Sequence, residues 1–172
     1  MNTVTNPVIA LVLPCYNEEQ ILPLTARKLA SELQRLVDSG LVSAQSKIVF
    51  VDDGSCDSTW SLIEQLSAGD SVFAGIKLAR NYGHQYALYA GLMETEADAL
   101  ISLDADLQDD VAVIEKMVTF FRAGSEIVYG VRNNRESDTR FKRYTAAAHY
   151  WLLSKMGIET VPDHADFRLM SR

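Results

Sequence analysis

Short apolar runs alternate with amphipathic helical stretches along this chain, and this alternation restricts the folds open to it. The five runs cover Val8–Leu13, Lys47–Val51, Val72–Leu78, Ala99–Leu103 and Glu126–Val131. A short continuous apolar run is typical of a strand that is buried on both faces. The strand–helix–strand order predicts an α/β fold with a mostly parallel sheet covered by helices. At 172 residues, we expect one domain over residues 1–172.

The predicted helices lie between these strands and after the last of them. In the first helix, apolar residues recur at helical spacing, and Pro23 falls near the first turn, where a missing N–H costs least. The predicted ranges are 20–37, 58–66 with Asp57 or Ser58 as the cap, 86–94, 109–122 and 144–156. A last strand is expected over Asp166–Met170.

A polar cluster follows each of the five predicted strands. The clusters are Asn17 with Glu18, Asp52 with Asp53, Arg80 with Asn81, Asp104 with Asp106, and Arg132. Functional sites of open parallel sheets gather outside the carboxyl ends of the strands. We therefore expect these clusters to form one site along that edge of the sheet.

The cluster Asp104-Ala105-Asp106 points to a metal ion. In an extended backbone, the two carboxylates lie on the same side of the chain and repel each other unless a cation is present. Carboxylate oxygens suit Mg²⁺ or Mn²⁺, which commonly hold a diphosphate, and Gln108 offers a third oxygen. The alternative is an ordinary solvated loop, since two aspartates at this spacing are common in loops.

The other clusters carry groups that suit a nucleotide. Tyr16 can pack on a base, Glu18 can accept hydrogen bonds from ribose or base, and Asp53 can accept from base N–H groups. Arg80 precedes a predicted helix and can meet a nucleotide or its phosphates. Each segment by itself is also explained by an ordinary turn. The glycine-rich phosphate-binding motifs of dinucleotide-binding and P-loop proteins are not present in the sequence.

The charge distribution favours a local anionic partner and argues against general nucleic-acid binding. The formal net charge is −7, whereas the segment 132–143 carries five basic and two acidic residues, a local net of +3. The predicted helix 144–156 either lies in a membrane interface or packs on the sheet. No apolar run approaches the ~20 residues of a membrane span, and we expect this chain to be soluble and cytoplasmic, with Cys15 and Cys56 as buried thiols.

Six segments, taken in order, resemble glycosyltransferase family 2, the inverting transferases of the GT-A fold. They read LVLPCYNEE, VFVDDGSCDST, IKLARNYGHQYAL, ISLDADLQDD, VYGVRNNR and DFRLMSR. Within the family, they look most like the polyprenyl-phosphate glycosyltransferases, the subgroup of dolichol-phosphate mannose synthase. The resemblance implies a three-layer, Rossmann-like GT-A fold. It also implies transfer of a hexose, with inversion, from a UDP- or GDP-sugar donor to a polyprenyl phosphate acceptor.

The same resemblance implies roles for particular residues. Pro14, Tyr16, Glu18 and Asp53 would help form the nucleotide pocket. Asp104, Asp106 and Gln108 would surround Mg²⁺ or Mn²⁺ on the donor diphosphate. Arg132 and Arg143 would face the acceptor phosphate, and Asp166 matches the position proposed as base in this subgroup. Three of these residues are counted as catalytic: Asp106, Arg132 and Asp166.

Two departures from the family pattern bear on these expectations. Val111 stands where the family usually has proline, which we expect to cost little. The chain ends at Arg172, whereas family members continue, so we expect an N-terminal catalytic fragment of a protein on the cytoplasmic face of a membrane. Three other functions stay open: a soluble family-2 transferase acting on a sugar hydroxyl, a non-catalytic nucleotide-sugar-binding module, and a nucleotidyltransferase.

Overall fold

A computed structural model describes residues 6–106, 108, 110–131 and 164–172, with the backbone alone at 131 and 164–166. The elements, in chain order, are β1 (Ile9–Cys15), α1 (Leu22–Asp38), β2 (Lys47–Asp52), α2 (Thr59–Gly69), β3 (Phe73–Lys77), α3 (His84–Glu94), β4 (Ala99–Ser102), α4 (Val113–Arg122), β5 (Ile127–Val131) and β6 (His164–Ser171). The chain divides into two compact units. One comprises Met1–Tyr129 together with Asp166–Arg172, and the other comprises Gly130–Ala165. The single domain expected from chain length stays a prediction.

The six strands form one sheet in the order β3-β2-β1-β4-β6-β5. β1 pairs in parallel with β2 on one side and with β4 on the other, and β3 extends the parallel part beyond β2. β6 runs antiparallel to β4, with Ser102 opposite Arg168. The mostly parallel sheet predicted from the sequence is confirmed, and β1 lies at its centre.

Helices cover both faces of the sheet. A Cβ atom on Gly91 of α3 would lie 2.5 Å from Val12 and 2.7 Å from Val51, so this helix packs tightly on one face. A Cβ atom on Gly75 of β3 would lie 2.5 Å from Ile63 of α2. Gly75 pairs with Phe50, whose side chain points to the opposite face of the sheet from that of the next residue, Val51, so α2 covers the other face. The helices α1 and α2 contact each other. The result is the three-layer arrangement expected of this fold class.

α1 illustrates how the sequence pattern produces these layers. Its buried residues recur every three or four positions, which places them on one stripe: Leu22, Thr25, Ala26, Leu29, Leu33 and Leu36. Pro23 occupies the first turn, as predicted. Arg35 on the outer side of α1 contacts Glu115 of α4 at 2.6 Å, so these two helices lie side by side.

Several details differ from the sequence predictions. α4 begins at Val113 and not near residue 109, because the Asp110 carboxylate accepts the Ala112 N–H and closes a turn first. α3 begins two residues early, at His84. Cys15 is buried as expected, but Cys56 is exposed. The predicted helix 144–156 lies outside the described residues. Within the part of the chain that the structure describes, no helix is long and apolar enough to cross a membrane.

At Gly54, the loop after β2 touches the loop after β3. Its φ is +70°, and a Cβ atom there would lie 2.4–2.7 Å from backbone atoms of Arg80 and Asn81. Backbone atoms cannot move aside as the end of a flexible side chain can. A glycine at this position therefore allows the two loops to touch.

We predict that Gly54→Ala destabilises the fold by about 2–5 kcal/mol, because left-handed strain adds to a backbone collision. Gly40→Ala is the matched control, since Gly40 has nearly the same φ of +69° but open space around its Cα. The control should cost only about 1–2 kcal/mol. Urea unfolding of the two variants measures the difference, and equal losses would contradict the close contact between the loops.

Candidate functional site

The predicted site residues of the first four clusters come together at one edge of the sheet. The loops after β1, β2, β3 and β4 all leave the sheet at the carboxyl ends of parallel strands. A cavity of about 1030 Å³ lies at the opposite edge, near Val8, Lys47 and Val72 at the amino ends of the strands. Among the described residues that line that cavity, none is a predicted site residue. The candidate site is therefore the edge at the carboxyl ends.

Hydrogen bonds between side chains and backbone join the loop after β1 to the loop after β2. The Asn17 N–H donates to Ser55 Oγ at 2.9 Å, and the Cys56 N–H donates back to Asn17 Oδ1 at 2.8 Å. The Glu18 N–H donates to the buried Thr59 Oγ1 at 2.8 Å. Asn17 has a φ of 55°, a left-handed conformation that asparagine tolerates better than most residues. These bonds fix the backbone that carries Tyr16 and Glu18.

A second set of bonds continues this connection into the start of α2. Asp57 accepts the Glu19 N–H at 3.2 Å and the Thr59 N–H at 2.9 Å, while Glu19 Oε2 accepts the Ser58 N–H at 2.9 Å. Burial by itself would raise the pKa of Asp57, but hydrogen bonds from Thr59 and Glu19 lower it overall. Of the two caps predicted for this helix, the Asp57 carboxylate accepts an N–H of the first turn.

Asp53 holds the loop after β3 in place. Its Oδ1 accepts the Tyr82 N–H at 2.7 Å and its Oδ2 accepts the Gly83 N–H at 2.8 Å. The residue is only 2% exposed, and its own N–H donates to the Cys15 carbonyl. Each carboxylate oxygen thus already has one donor, and the donors lie directly before α3. The Arg80 guanidinium lies 4.8 Å above the Tyr82 ring in the loop that Asp53 holds.

The aspartate pair follows β4, which ends at Ser102. Our expectation of an extended backbone here is wrong, because Ala105 and Asp106 form a turn. Asp104 is about one-third exposed, and its Oδ1 lies 3.7 Å from Nε2 of His84, an ion pair when the imidazole is protonated. Asp106 is exposed, and its Oδ1 accepts the Gln108 N–H at 3.0 Å.

These side chains fit a metal ion that is shared with a substrate. Among the described residues, no group of three or more His, Cys, Asp or Glu side chains is arranged to hold a metal by itself. Mg²⁺ typically takes one or two protein carboxylates and completes its shell with water and substrate phosphates. Asp104 and Asp106, with the exposed Gln108 beside them, match that donor set in number and chemistry.

Glu18 lies nearer to the aspartate pair than its sequence interpretation implies. Burial raises its pKa, and the negative charges of Asp106, Asp57 and Asp104 raise it further. The sequence analysis placed Glu18 in the nucleotide pocket only. In the structure, the Glu18 carboxylate also lies close enough to Asp104 and Asp106 for their negative charges to act on it.

Of the remaining predicted residues, the structure describes Pro14 and Tyr16 with their side chains and Asp166 by its backbone. Pro14 is buried inside β1 opposite Val51, and the Tyr16 ring is 45% exposed beside it in the chain. Asp166 lies on β6, with only its backbone described. Arg132 and Arg143 lie outside the described residues.

Sequence reasoning missed two contributors to this edge of the sheet. His84 was not among the predicted site residues, yet its Nε2 lies 3.7 Å from Asp104 Oδ1. Its position between the Arg80–Asn81 cluster and the predicted helix 86–94 was the available signal. Thr25 lies inside the predicted helix 20–37 and was not singled out, although its side chain reaches the Ala105 carbonyl.

We predict that Glu18→Gln stabilises the metal-free protein at pH 7 but has little effect at pH 4. The raised pKa means that wild-type stability falls as the pH rises from the ordinary value of 4.5 through the raised value, since ionising Glu18 in the folded state is unfavourable. The glutamine variant lacks this loss. Thermal unfolding in chelator at both pH values measures it.

Glu64→Gln is the control, because it removes an exposed carboxylate on α2. It corrects for the general benefit of removing one negative charge from an acidic chain. A gain that is equal at both pH values, or equal in the control, would contradict the proximity of Glu18 to the aspartates.

The chain matches the family model described as glycosyl transferase family 2 over residues 10–169. It is 47% identical over 98% of its length to the glycosyltransferase YkoT of Bacillus subtilis, of which it covers 50%. It is 38% identical over 95% of its length to the bactoprenol glucosyl transferase of Shigella phage SfX, of which it covers 52%. The chain thus spans about half the length of these relatives.

A solved structure shows the same fold. Glucosyl-3-phosphoglycerate synthase from Mycobacterium tuberculosis, in complex with Mn²⁺, uridine diphosphate and glucosyl-3-phosphoglycerate, matches with a TM-score of 0.60. The identity is 20%, over 96% of this chain and 57% of that chain. The predicted three-layer, Rossmann-like GT-A fold is confirmed by this likeness and by the sheet described above.

Proposed function

Because this chain belongs to glycosyltransferase family 2, we propose that it provides the donor site of an enzyme that transfers a hexose from a UDP- or GDP-sugar to a polyprenyl phosphate. One observation carries the proposal. Four loops meet at the carboxyl edge of the sheet and place Tyr16 and Arg80 along the same edge as Asp104 and Asp106. Aromatic and cationic groups suit a nucleotide, and paired carboxylates suit a metal-bound diphosphate.

The protein's own groups have distinct tasks in this proposal. The exposed Tyr16 ring packs on the base, and Arg80, braced by Tyr82, approaches the nucleotide or its phosphates. Asp53 keeps that loop in position and retains free acceptor capacity for a base N–H, since a carboxylate oxygen can accept two hydrogen bonds. The locked loops set these groups before substrate arrives, which lowers the ordering cost of binding.

Asp104, Asp106 and Gln108 would hold Mg²⁺ or Mn²⁺. When bound, such an ion supplies positive charge that offsets the negative charge developing on the leaving diphosphate. His84, the first residue of α3, lies 3.7 Å from Asp104, and its imidazole would form an ion pair with that carboxylate when protonated. Glu18 adds negative charge next to the pair, which strengthens the preference of this edge for a cation.

The proposed acceptor draws on the similarity to the bactoprenol glucosyl transferase and on the basic segment 132–143. We propose that Arg132 and Arg143 bind the acceptor phosphate, since guanidinium groups pair with phosphate in bidentate fashion. The same basic segment would suit an anionic membrane surface in the longer protein.

We predict that Asp106→Asn abolishes metal-dependent binding of the donor nucleotide. The reason is that an amide is a weaker cation ligand than a carboxylate. Activity with a lipid acceptor should also fall roughly 100-fold or more, because a bound metal supplies several kcal/mol of charge stabilisation in the transition state. Calorimetry with UDP-glucose and GDP-mannose, in Mn²⁺ and in chelator, measures binding.

Asp38→Asn is the matched control, because Asp38 is an exposed aspartate at the far end of α1. It should bind donor as the wild-type chain does. Binding of neither donor by a folded wild-type chain would contradict the proposal. Binding without turnover, even with polyprenyl phosphate and the longer protein, would indicate a non-catalytic nucleotide-sugar-binding module.

We predict that Asp166→Asn keeps turnover within about ten-fold of wild type when the acceptor is a polyprenyl phosphate. A phosphate is already anionic at pH 7, so no side chain has to remove a proton from it, and a true general base contributes roughly 100-fold or more. Steady-state assays with a polyprenyl phosphate acceptor measure the ratio. A loss beyond 100-fold would instead favour a base that activates a sugar hydroxyl.

A further inference from the structure

The Thr25 hydroxyl connects α1 to the segment between the two aspartates. Thr25 is fully buried, and its Oγ1 donates to the Ala105 carbonyl at 2.6 Å. The Ile21 carbonyl, one turn earlier in the chain, is a longer alternative at 3.2 Å. A threonine within a helix commonly bonds only to that preceding turn. Here the shorter bond reaches a residue 80 positions away in the sequence.

The accepting carbonyl belongs to the residue between Asp104 and Asp106. The last sheet-type bond before it is from the Leu103 N–H to the Val12 carbonyl at 3.2 Å. Beyond it, Asp106 bonds only locally, to the Gln108 N–H, among the contacts that the described residues show. The Thr25 bond therefore fixes the peptide between Ala105 and Asp106 at a point where the sheet no longer does.

The surroundings of Thr25 do not require a hydroxyl for packing. Its neighbours on the buried stripe of α1 are apolar, and valine has nearly the same shape as threonine. A buried hydroxyl must find an acceptor, and a buried carbonyl must find a donor. The Ala105 residue is 4% exposed, so Thr25 satisfies a carbonyl that water reaches poorly.

We infer that Thr25 is a positioning residue for the metal-binding aspartates. Through the Ala105 carbonyl, it sets the orientation of the turn that carries Asp106 and, on the other side, Asp104. The inference rests on the proposed function, because it takes these two carboxylates to hold the cation. Groups that orient metal ligands commonly change metal affinity by about 10–100-fold when they are removed.

The test compares Thr25→Val with Thr25→Ser in the 172-residue chain. Mn²⁺ is titrated by calorimetry into protein that is saturated with UDP. Thr25→Val removes the hydroxyl at nearly constant shape and should weaken Mn²⁺ binding about ten-fold. Thr25→Ser keeps the hydroxyl and should stay within about two-fold of wild type, since the Ser Oγ can make the same bond.

A second readout needs no metal and no nucleotide. The Gln108 N–H donates to Asp106 Oδ1 at 3.0 Å. Loosening the turn should speed hydrogen exchange of that N–H in Thr25→Val but not in Thr25→Ser. Thr119→Val is the control at an exposed position, because among the described residues the Thr119 hydroxyl bonds to the Glu115 carbonyl in the preceding turn of its own helix. It should change neither exchange nor Mn²⁺ affinity.

Each outcome decides the inference. If Thr25→Val does not fold, Thr25→Ala against Thr25→Ser makes the same comparison, since both lack the methyl group and only one lacks the hydroxyl. Mn²⁺ affinity and exchange equal to wild type in the hydroxyl-free variants would overturn the inference, while Asp106→Asn still tests the proposed function. If the wild-type chain binds Mn²⁺ with GDP and not with UDP, the same comparison is made in GDP. A wild-type chain without metal-dependent binding of either nucleotide would overturn both.

Discussion

The parallel pairing of β1 with both β2 and β4 is the constraint on which the site depends. All seven residues of β1 are buried, so the strand can lie only in the middle of the sheet with helices on both faces. Parallel neighbours end at the same edge. The loops after β1 and β4, whose strands end at Cys15 and Ser102, consequently start one strand spacing apart, about 5 Å, and the loop after β2 starts equally close on the other side of β1.

Loops at such an edge have to be ordered before they can bind a ligand well, and here polar side chains order them. Four side chains accept hydrogen bonds from backbone N–H groups of neighbouring loops: Asn17, Glu19, Asp53 and Asp57. These bonds give acceptors to N–H groups that have no partner within a strand or helix. Backbone N–H groups need such acceptors wherever water does not reach them. The same side chains would look like solvent-exposed binding groups in a sequence, although several act first as structural acceptors.

The sequence was sufficient for the layers and for the edge at which the site lies, because continuous apolar runs and their polar endings are local features. It was not sufficient for contacts between distant segments. The bond from Thr25 to Ala105, the two N–H groups on Asp53 and the antiparallel direction of β6 all depend on how separate parts of the chain are placed. The turn at Ala105 also overrode the expected extended geometry, since β4 ends three residues before it.

The acidic character of this edge carries a structural cost. Asp52 is fully buried at the end of β2, and its Oδ2 has no hydrogen-bond partner among the described residues. Burial, together with Glu18 and Asp52, strongly raises the pKa of the Cys15 thiol. A buried polar atom without a hydrogen-bond partner is unfavourable, so stability alone does not account for a carboxyl group at this position. Several carboxylates kept along one edge are therefore better explained by what they bind than by what they stabilise.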